Sequence, residues 1–173
     1  GVGGGIIIDG KIVAGFHGAG GEIGHISVNP DEIETCNCGQ HGCLELYASA
    51  TGIVRMAKRR LAKSEDETTL RSFDPLTAKD IFDEAKAGDV VAKELVDDLG
   101  NILGATLAKV ACVVNPEAIV IGGGVSKAGK ILIDTVQEHF KENAFYAFKD
   151  TRFELATLGN DAGMYGCMAM LLN

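Results

Sequence analysis

The stretch Cys36-Asn37-Cys38-Gly39-Gln40-His41-Gly42-Cys43-Leu44-Glu45 carries three of the five cysteines of the chain within eight residues, and His25 precedes it. One imidazole and three thiolates form a complete tetrahedral ligand set for Zn²⁺. The polar loop around the cysteines, residues 29–42, is too long for a simple connection and needs something to hold it. The alternative is a group of free thiols with a disulfide between two of them. We expect a zinc-bound loop whose ligands are His25, Cys36, Cys38 and Cys43.

Two glutamates flank this candidate metal site. Glu22 lies three residues before His25, and Glu45 lies two residues after Cys43. A metal that gathers His25 and Cys43 would therefore bring both carboxylates into one neighbourhood. Carboxylates placed in this way accept strong, charge-assisted hydrogen bonds from the hydroxyl groups of a sugar. On spacing alone, the alternative of two solvated glutamates with no such role is favoured.

Glycine is unusually frequent, with 23 in 173 residues, and it is concentrated in clusters. One cluster spans residues 1–5, and another, residues 122–124, follows an apolar strand pattern and precedes a helical one. Stacked glycines let backbone N–H groups point at phosphate oxygens, and a following helix adds its positive end. Neither cluster has the spacing of a Walker loop, and the Rossmann fingerprint is missing after Ile121. Each cluster alone could be a tight structural turn, but two in one chain favour nucleotide binding.

The composition excludes several classes of function. Apolar residues make up 46% of the chain, which excludes general disorder. The net charge is −8, and the one basic patch is Lys58-Arg59-Arg60, so we expect no nucleic-acid binding through phosphates. No stretch approaches the ~18 apolar residues of a membrane span, so we expect no membrane partner. Five cysteines do not form a closed disulfide framework, and we expect a cytoplasmic, reducing location.

Helical and strand patterns alternate along the chain. Asp9-Gly10 separates two short β-branched runs, which predicts a hairpin with a type I′ turn. Predicted strands are 25–28, 118–121 and 152–158, and predicted helices are 43–62 with a break near 51–52, 77–87, 89–114, 127–140 and a last one from 161. This order predicts an α/β domain with a mixed sheet and flanking helices. Cys112 and Cys167 lie in apolar helical stretches, so we expect both to be buried.

The first residue is Gly1 rather than Met, and the chain opens inside a glycine cluster. Natural domains seldom begin inside a motif. We therefore expect the chain to be part of a longer protein whose N-terminal portion precedes Gly1.

The pair of motifs Gly21-Glu22-Ile23-Gly24-His25 and residues 36–45 resembles the signature of the ROK family of repressors, open reading frames and sugar kinases. The form Cys-x-Cys-Gly-x-x-Gly-Cys-x-Glu is highly specific to that family. The resemblance continues through residues 48–52, 119–125 and 158–163, so it covers essentially the whole chain. Within the family, the chain is most similar to the bacterial glucokinases.

This resemblance implies a ribonuclease H-like lobe of the actin/hexokinase/Hsp70 type, with residues 1–173 as the C-terminal lobe of a two-lobe kinase. The implied reaction is transfer of the γ-phosphate of ATP, with Mg²⁺, to the 6-hydroxyl of glucose. The implied zinc is structural. The aspartate that acts as general base is expected on the other lobe, so no catalytic residue is expected in this chain and the piece alone should be inactive. A homodimer is also expected.

The resemblance also implies roles for particular residues. The substrate-binding residues would be Glu22, His25 and Glu45, with one ring nitrogen of His25 on zinc and the other facing the sugar. The nucleotide-binding residues would be Gly3, Gly4, Gly5, Gly122, Gly123 and Gly124. Two alternatives stay open: the sugar-sensing part of a ROK transcriptional repressor, and a ROK kinase for fructose, mannose or N-acetylmannosamine.

Overall fold

A computed structural model describes residues 1–172 of the expected domain 1–173, and residue 173 lies outside it. The structure is a mixture of α-helices and short strands. The strands are β1 (Ile7–Ile8), β2 (Lys11–Ile12), β3 (Ala118–Ile121) and β4 (Arg152–Leu155). The helices are α1 (Glu45–Ala48), α2 (Ala50–Lys63), α3 (Ala78–Ala87), α4 (Val90–Val114), α5 (Lys130–Asn143) and α6 (Ala162–Leu172). Single 3₁₀ turns lie at Ile23–His25, Thr69–Ser72, Val125–Ala128, Tyr146–Phe148 and Gly159–Asp161.

The core is built around α4, the longest helix, which packs on α2, α3 and α5. Both ends of α3 and the start of α4 are fixed by local signals that the sequence predicts. Thr77 and Asp80 form a capping box at the start of α3, and Gly88 ends α3 in the left-handed conformation. The Asp89 side chain then accepts a hydrogen bond from the backbone N–H of Ala92 and caps α4. Two adjacent helices with a short connection follow directly from these caps.

The close packing of α4 on α5 depends on two glycines of α4. A Cβ atom at Gly104 would lie 2.7 Å from the backbone of Phe140 and Val136 in α5, and one at Gly100 would collide with Thr135. The buried side chains around this contact are fully enclosed, as Leu99, Leu132 and Phe140 show. The two helices are therefore closely packed along this contact.

The strands form two separate two-stranded sheets within residues 1–172 rather than the single mixed sheet that we expected. The first is the antiparallel pair β1–β2, in which Asp9 (φ 51°) and Gly10 (φ 74°) form the predicted hairpin turn. The second is the parallel pair β3–β4. Both directions of pairing are therefore present, but no strand of the described chain joins the two pieces.

Three further predictions differ from the structure. Residues 25–28 do not form a strand, since Ile23–His25 is a 3₁₀ turn and Ser27 makes one isolated bridge to Cys43. The helix break lies at Ser49, whose side chain accepts a hydrogen bond from the Gly52 N–H and caps α2. Cys112 and Cys167 are exposed rather than buried.

The exposure of these two cysteines follows from where the buried surfaces end. The buried face of α4 stops at Ala111, and residues 161–169 of the last helix are all exposed. An apolar helical pattern therefore does not guarantee burial at these positions. None of the helices within residues 1–172 combines the length and the apolar character that a membrane crossing needs.

Candidate functional site

Four side chains that the sequence predicts as metal ligands converge at one point. The ligand atoms of His25, Cys36, Cys38 and Cys43 all lie within 4.8 Å of one another. Cys38 Sγ is 3.5 Å from Cys43 Sγ, and Cys36 Sγ is 3.7 Å from His25 Nδ1. Ligands bound at about 2.3 Å to a tetrahedral ion lie about 3.8 Å apart, so these separations match what such an ion requires. The four residues could hold one zinc ion.

Local backbone contacts bring the ligands together. The cysteine loop, which we define as residues 29–42, closes on itself through an isolated bridge between Thr35 and His41 and a tight turn in which the Gly39 N–H donates to the Cys36 carbonyl over 2.8 Å. Gly42 has a φ of 69°, and a Cβ atom there would collide with the carbonyl oxygen of Asn29. Only glycine fits at this point, where the two ends of the loop meet.

The three thiols have different proton affinities in the absence of a metal. A backbone hydrogen bond from Cys38 lowers the pKa of Cys36, but the hydrogen bond to Glu45 and burial outweigh it and raise that pKa to about 12. The backbone N–H of Gln40 lowers the pKa of Cys38, whereas burial raises the pKa of Cys43. Cys38 is also the exposed member of the three, so its sulfur is the most accessible from solvent.

The two predicted sugar-binding glutamates each approach a member of this cluster. Glu45 is the first residue of α1, and its Oε1 accepts a hydrogen bond from the Cys36 thiol over 2.9 Å, which lowers the pKa of Glu45. Glu22 Oε2 is 3.9 Å from His25 Nε2, and both side chains are partly open to solvent. The structure therefore brings Glu22, His25 and Glu45 together around the cysteines, as the sequence predicts.

The first glycine cluster packs backbone to backbone against the glycines that lead into His25. A Cβ atom at Gly4 would lie 2.6 Å from the Gly21 carbonyl oxygen, and one at Gly24 would collide with the Val2 carbonyl. Packing therefore explains why residues 4, 21 and 24 are glycine. In contrast, a Cβ atom at Gly3 or Gly5 would meet nothing within 4 Å, so the backbone there is open to a ligand.

Both glycine clusters line one cavity of about 910 Å³. Gly123 has a φ of 85°, and a Cβ atom at Gly123 or Gly124 would meet nothing within 4 Å, whereas one at Gly122 would lie 3.0 Å from the Ala156 methyl group. Ser49, Ala50 and Thr51 at the start of α2 also line the cavity. The structure thus brings the six predicted nucleotide-binding glycines around a common space that a phosphate-bearing ligand could enter.

Sequence analysis missed an ionic cluster beneath the cysteine loop. Glu32 is only 7% exposed, and Arg59 of α2 donates two hydrogen bonds to its carboxylate, over 2.7 and 3.0 Å. The Arg59 hydrogen bonds hold the pKa of Glu32 at about 2. Glu34 contacts both Arg59 and Arg55, one turn apart on α2. The available signal for this cluster in the sequence was the presence of two acids in the loop, Glu32 and Glu34, and of two arginines one turn apart on the helix.

The basic run Lys58-Arg59-Arg60 is therefore largely neutralised within the fold. Arg60 pairs with Asp66 and Glu94, both over about 3 Å, while Arg59 pairs with Glu32 of the cysteine loop. Two of the three cations have carboxylate partners.

The sequence profile of the ROK family matches residues 1–173. The chain is 47% identical to a glucokinase of Halalkalibacterium halodurans over 96% of its own length and 52% of that protein. It is 30% identical to a xylose repressor of Caldicellulosiruptor bescii, over 100% of this chain and 44% of the repressor. A crystal structure of a ROK family glucokinase from Streptomyces griseus, in complex with glucose and AMPPNP, superposes with a TM-score of 0.87 at 34% identity, covering 97% of this chain and 56% of that one.

Two features of these relatives bear on the interpretation of the site. The chain spans about half the length of the curated relatives it matches, and kinases and repressors are both among them. The fold is that of the ROK glucokinases, an actin/hexokinase-like ATPase fold. A match that extends over every residue, together with the cysteine motif and this structural likeness, establishes that the chain belongs to the ROK family.

Proposed function

We propose that this chain is the sugar-orienting lobe of a ROK glucokinase, which transfers the γ-phosphate of ATP to the 6-hydroxyl of glucose. The proposal is supported by the similarity to curated glucokinases and to a glucokinase described as complexed with glucose and AMPPNP. Family membership alone does not separate kinases from repressors. The sugar-binding part of the proposal depends on the geometry around His25, and the choice of a kinase depends on the glycines that line the cavity.

The observation that carries the proposal is the position of the His25 ring. Its Nδ1 lies 3.7 Å from Cys36 Sγ, and its Nε2 lies 3.9 Å from Glu22 Oε2. One nitrogen thus faces the cysteines and the other faces an exposed carboxylate. A metal on Nδ1 would fix the tautomer and leave Nε2–H as a hydrogen-bond donor. Glu22, Glu45 and this donor together would bind the hydroxyl groups of a hexose.

Zinc has a structural role in this proposal. His25, Cys36, Cys38 and Cys43 supply four protein ligands, which leave no open position for a substrate. When bound, the ion would keep the thiols deprotonated and the loop closed. The residues of this chain would then orient the sugar, because Glu45, the first residue of α1, lies close after the cysteine loop in the sequence.

The glycine clusters would supply part of the nucleotide site. Gly3, Gly5, Gly123 and Gly124 leave backbone open toward the shared cavity, and this supports their role in binding the phosphates and the adenosine of ATP. Gly4 and Gly122 would contribute through the close packing that shapes the cavity wall. Mg²⁺ would accompany the nucleotide and offset the charge of its phosphates.

The remaining parts of the proposal concern the whole protein. The general-base aspartate would lie on the other lobe, so residues 1–173 alone would not phosphorylate glucose. The protein would act in the cytoplasm as a homodimer, with no nucleic-acid or membrane partner for this segment.

The test is hexose-dependent formation of ADP by the purified full-length protein. We expect glucose to give the highest kcat/KM in a panel with fructose, mannose and N-acetylmannosamine, and we expect the 173-residue piece to give none. A higher kcat/KM for another hexose would reassign the substrate, and glucose 6-phosphate formation by the piece would overturn the placement of the general base.

A repressor function is the second candidate, because the similarity to the xylose repressor covers the whole of this chain. A full-length protein that binds sugar and operator DNA but forms no ADP would establish it. The glycines around the cavity favour the kinase, because a sugar sensor has no need of backbone that is open to phosphates.

A further inference from the structure

The first part of the cysteine loop, before its first cysteine, is anchored to α2. Glu32 and Glu34 lie four and two residues before Cys36, and their carboxylates reach α2. Arg59 Nη1 donates to Glu32 Oε2 over 2.7 Å, and Arg59 Nη2 donates to Glu32 Oε1 over 3.0 Å and to Glu34 Oε2 over 2.8 Å. One guanidinium thus holds two carboxylates of the loop in a fixed orientation.

The same anchor also holds the segment that follows the ligands. Tyr47 of α1 donates its hydroxyl hydrogen to Glu32 Oε2 over 2.5 Å, and the Asn29 side-chain amide donates to the Tyr47 oxygen over 2.9 Å. Arg55, one turn before Arg59, donates to the Leu46 carbonyl and pairs with Glu34. Residues before Cys36 and residues after Cys43 are therefore tied to one another through α2.

Burial makes this cluster different from an ordinary surface salt bridge. The side chain of Glu32 is 3% exposed, and its carboxylate accepts hydrogen bonds from Arg59, from the Tyr47 hydroxyl and from the backbone N–H of Glu34. Exposed ion pairs contribute little to stability, but removing one partner of a buried pair leaves an uncompensated charge. None of the side-chain polar atoms that are buried in the described residues lacks a hydrogen-bond partner, so the cluster is fully satisfied.

The same connections bear on how the candidate metal ligands are held together. Three thiols and an imidazole have no strong mutual attraction, yet they lie within 4.8 Å of one another. The short contacts among them are one 3.5 Å approach between sulfurs and one 3.7 Å approach to the His25 ring. Backbone contacts close the loop around these ligands, and the bonds of Arg59 and Tyr47 to Glu32 add a connection between its two flanks.

We propose that Arg59 and Glu32 are positioning residues of the candidate metal site. Their ion pair, in which the Glu32 carboxylate is buried, holds the cysteine loop on α2 in the geometry that the ligands need, with or without a metal. The inference rests on the proposed function only in taking this loop as the zinc loop. A preassembled site releases its ion slowly, because the ligands stay in place when one bond opens. Groups hydrogen-bonded directly to metal ligands change metal affinity by about 10–100-fold, and because Arg59 acts through the loop we expect an effect at the lower end of that range.

The test compares Arg59→Met with Arg60→Met in the full-length protein. Both residues lie on α2 and carry two carboxylate contacts, but Arg60 pairs with Asp66 and Glu94 and does not touch the cysteine loop. The first measurement is the rate of iodoacetamide labelling at Cys36 relative to the exposed Cys38 in metal-free protein, read by peptide mass spectrometry. We expect Arg59→Met to raise this ratio about tenfold or more and Arg60→Met to leave it within about twofold.

The second measurement is the rate of zinc transfer to a chromogenic chelator from the zinc-loaded proteins. We expect Arg59→Met to release zinc about tenfold faster than Arg60→Met, and Arg59→Lys to fall between them because lysine lacks the two-pronged geometry. Cobalt-substituted protein should show weaker thiolate-to-metal absorption in Arg59→Met only. Equal labelling ratios in the two methionine variants would overturn the proposal.

These measurements separate the proposal from the proposed function. The labelling arm needs no metal and no activity, so it stays decisive even if the protein phosphorylates no sugar. If Arg59→Met does not fold, Tyr47→Phe removes one hydrogen bond to Glu32 while keeping the ring, and it should raise the Cys36 labelling ratio at an unchanged helical circular dichroism spectrum. An unchanged ratio in folded Tyr47→Phe and Arg59→Lys would equally overturn it.

Discussion

The carboxylate of Glu45 accepts a hydrogen bond from the thiol of Cys36 over 2.9 Å, so a proposed sugar-binding group and a proposed metal ligand are in direct contact. The sequence places both in one motif, but it does not show that they touch. Because a zinc-bound thiolate has no proton to donate, metal loading would release Glu45 to accept a hydrogen bond from another donor. A sugar hydroxyl is the donor that the proposed function supplies.

Replacing this carboxylate should weaken sugar binding. We expect Glu45→Gln to lower the affinity for glucose about 10- to 100-fold, since a hydrogen bond to a charged group contributes about 1.5–3 kcal/mol. Isothermal titration of glucose into the full-length protein measures this. Glu65→Gln, an exposed glutamate in the loop after α2, should leave the affinity unchanged. Equal affinities for both variants would remove Glu45 from the sugar site.

The ligand set predicts one zinc ion per chain in protein purified without added metal. We expect Cys38→Ser to reduce the zinc content to less than about one tenth of the wild-type value, because three ligands remain and serine is a poor donor for zinc. Elemental analysis gives the stoichiometry. Cys112→Ser, an exposed cysteine on α4, is the matched control and should keep its zinc. A wild-type content near zero would contradict the whole assignment.

Gly42, where the two ends of the cysteine loop meet, should not tolerate a side chain. We expect Gly42→Ala to destabilise the protein by about 2–4 kcal/mol, because the left-handed backbone costs about 1–2 kcal/mol and the new methyl group collides with the Asn29 carbonyl. Urea unfolding followed by circular dichroism measures the difference.

Gly39→Ala is the control that isolates the collision in this experiment. Gly39 also has a positive φ, of 86°, but a Cβ atom there would meet nothing within 4 Å. It should therefore cost only the backbone term of about 1–2 kcal/mol. If the two variants lost the same stability, the contact between Gly42 and Asn29 would not matter.

His139 should make the stability of the α4–α5 pair depend on pH. Burial lowers the pKa of His139, but hydrogen bonds to Asp97 on α4 and to Glu142 outweigh it and raise that pKa above its ordinary value of 6.5. The folded state therefore stabilises the protonated, charged form of His139 relative to the unfolded state. Its stabilisation is complete below pH 6.5 and is lost as the pH rises through the raised pKa.

We expect the free energy of unfolding to fall as the pH rises through that range, and His139→Gln to abolish this part of the pH dependence. Urea unfolding at a series of pH values from 5.5 to about 9 measures the slope. His17→Gln, in the exposed loop after β2, should keep the wild-type slope. A slope that survives in His139→Gln would assign the effect to other groups.

Local signals in the sequence predict much of this fold. The Asp9-Gly10 turn, the Thr77 cap and the Gly88 stop are each fixed by residues next to them, and the structure confirms all three. The 3₁₀ turn at Ile23–His25 was not predictable in this way, because the backbone of Gly24 lies against Val2, which is distant in sequence. The division of the strands into two pieces likewise depends on long-range contacts.

The candidate site shows the same contrast. The convergence of His25 with the three cysteines follows from ligand chemistry and spacing, so it could be predicted. Glu32 and Arg59 are 27 positions apart, and nothing local indicates that an acid in a polar loop is buried against a helix. The sequence-based interpretation of residues 58–60 as a basic patch was incomplete for the same reason.

The close approach of Gly4 to Gly21 and of Val2 to Gly24 has a mechanical consequence. At these contacts, main chain rests directly on main chain, with no flexible side chains between them to absorb a displacement. Glu22 and His25 follow immediately after two of the touching residues, so any adjustment of the first glycine segment around an entering phosphate would also shift the groups that we propose to bind the hexose. Occupancy by one substrate would thereby be felt at the position of the other.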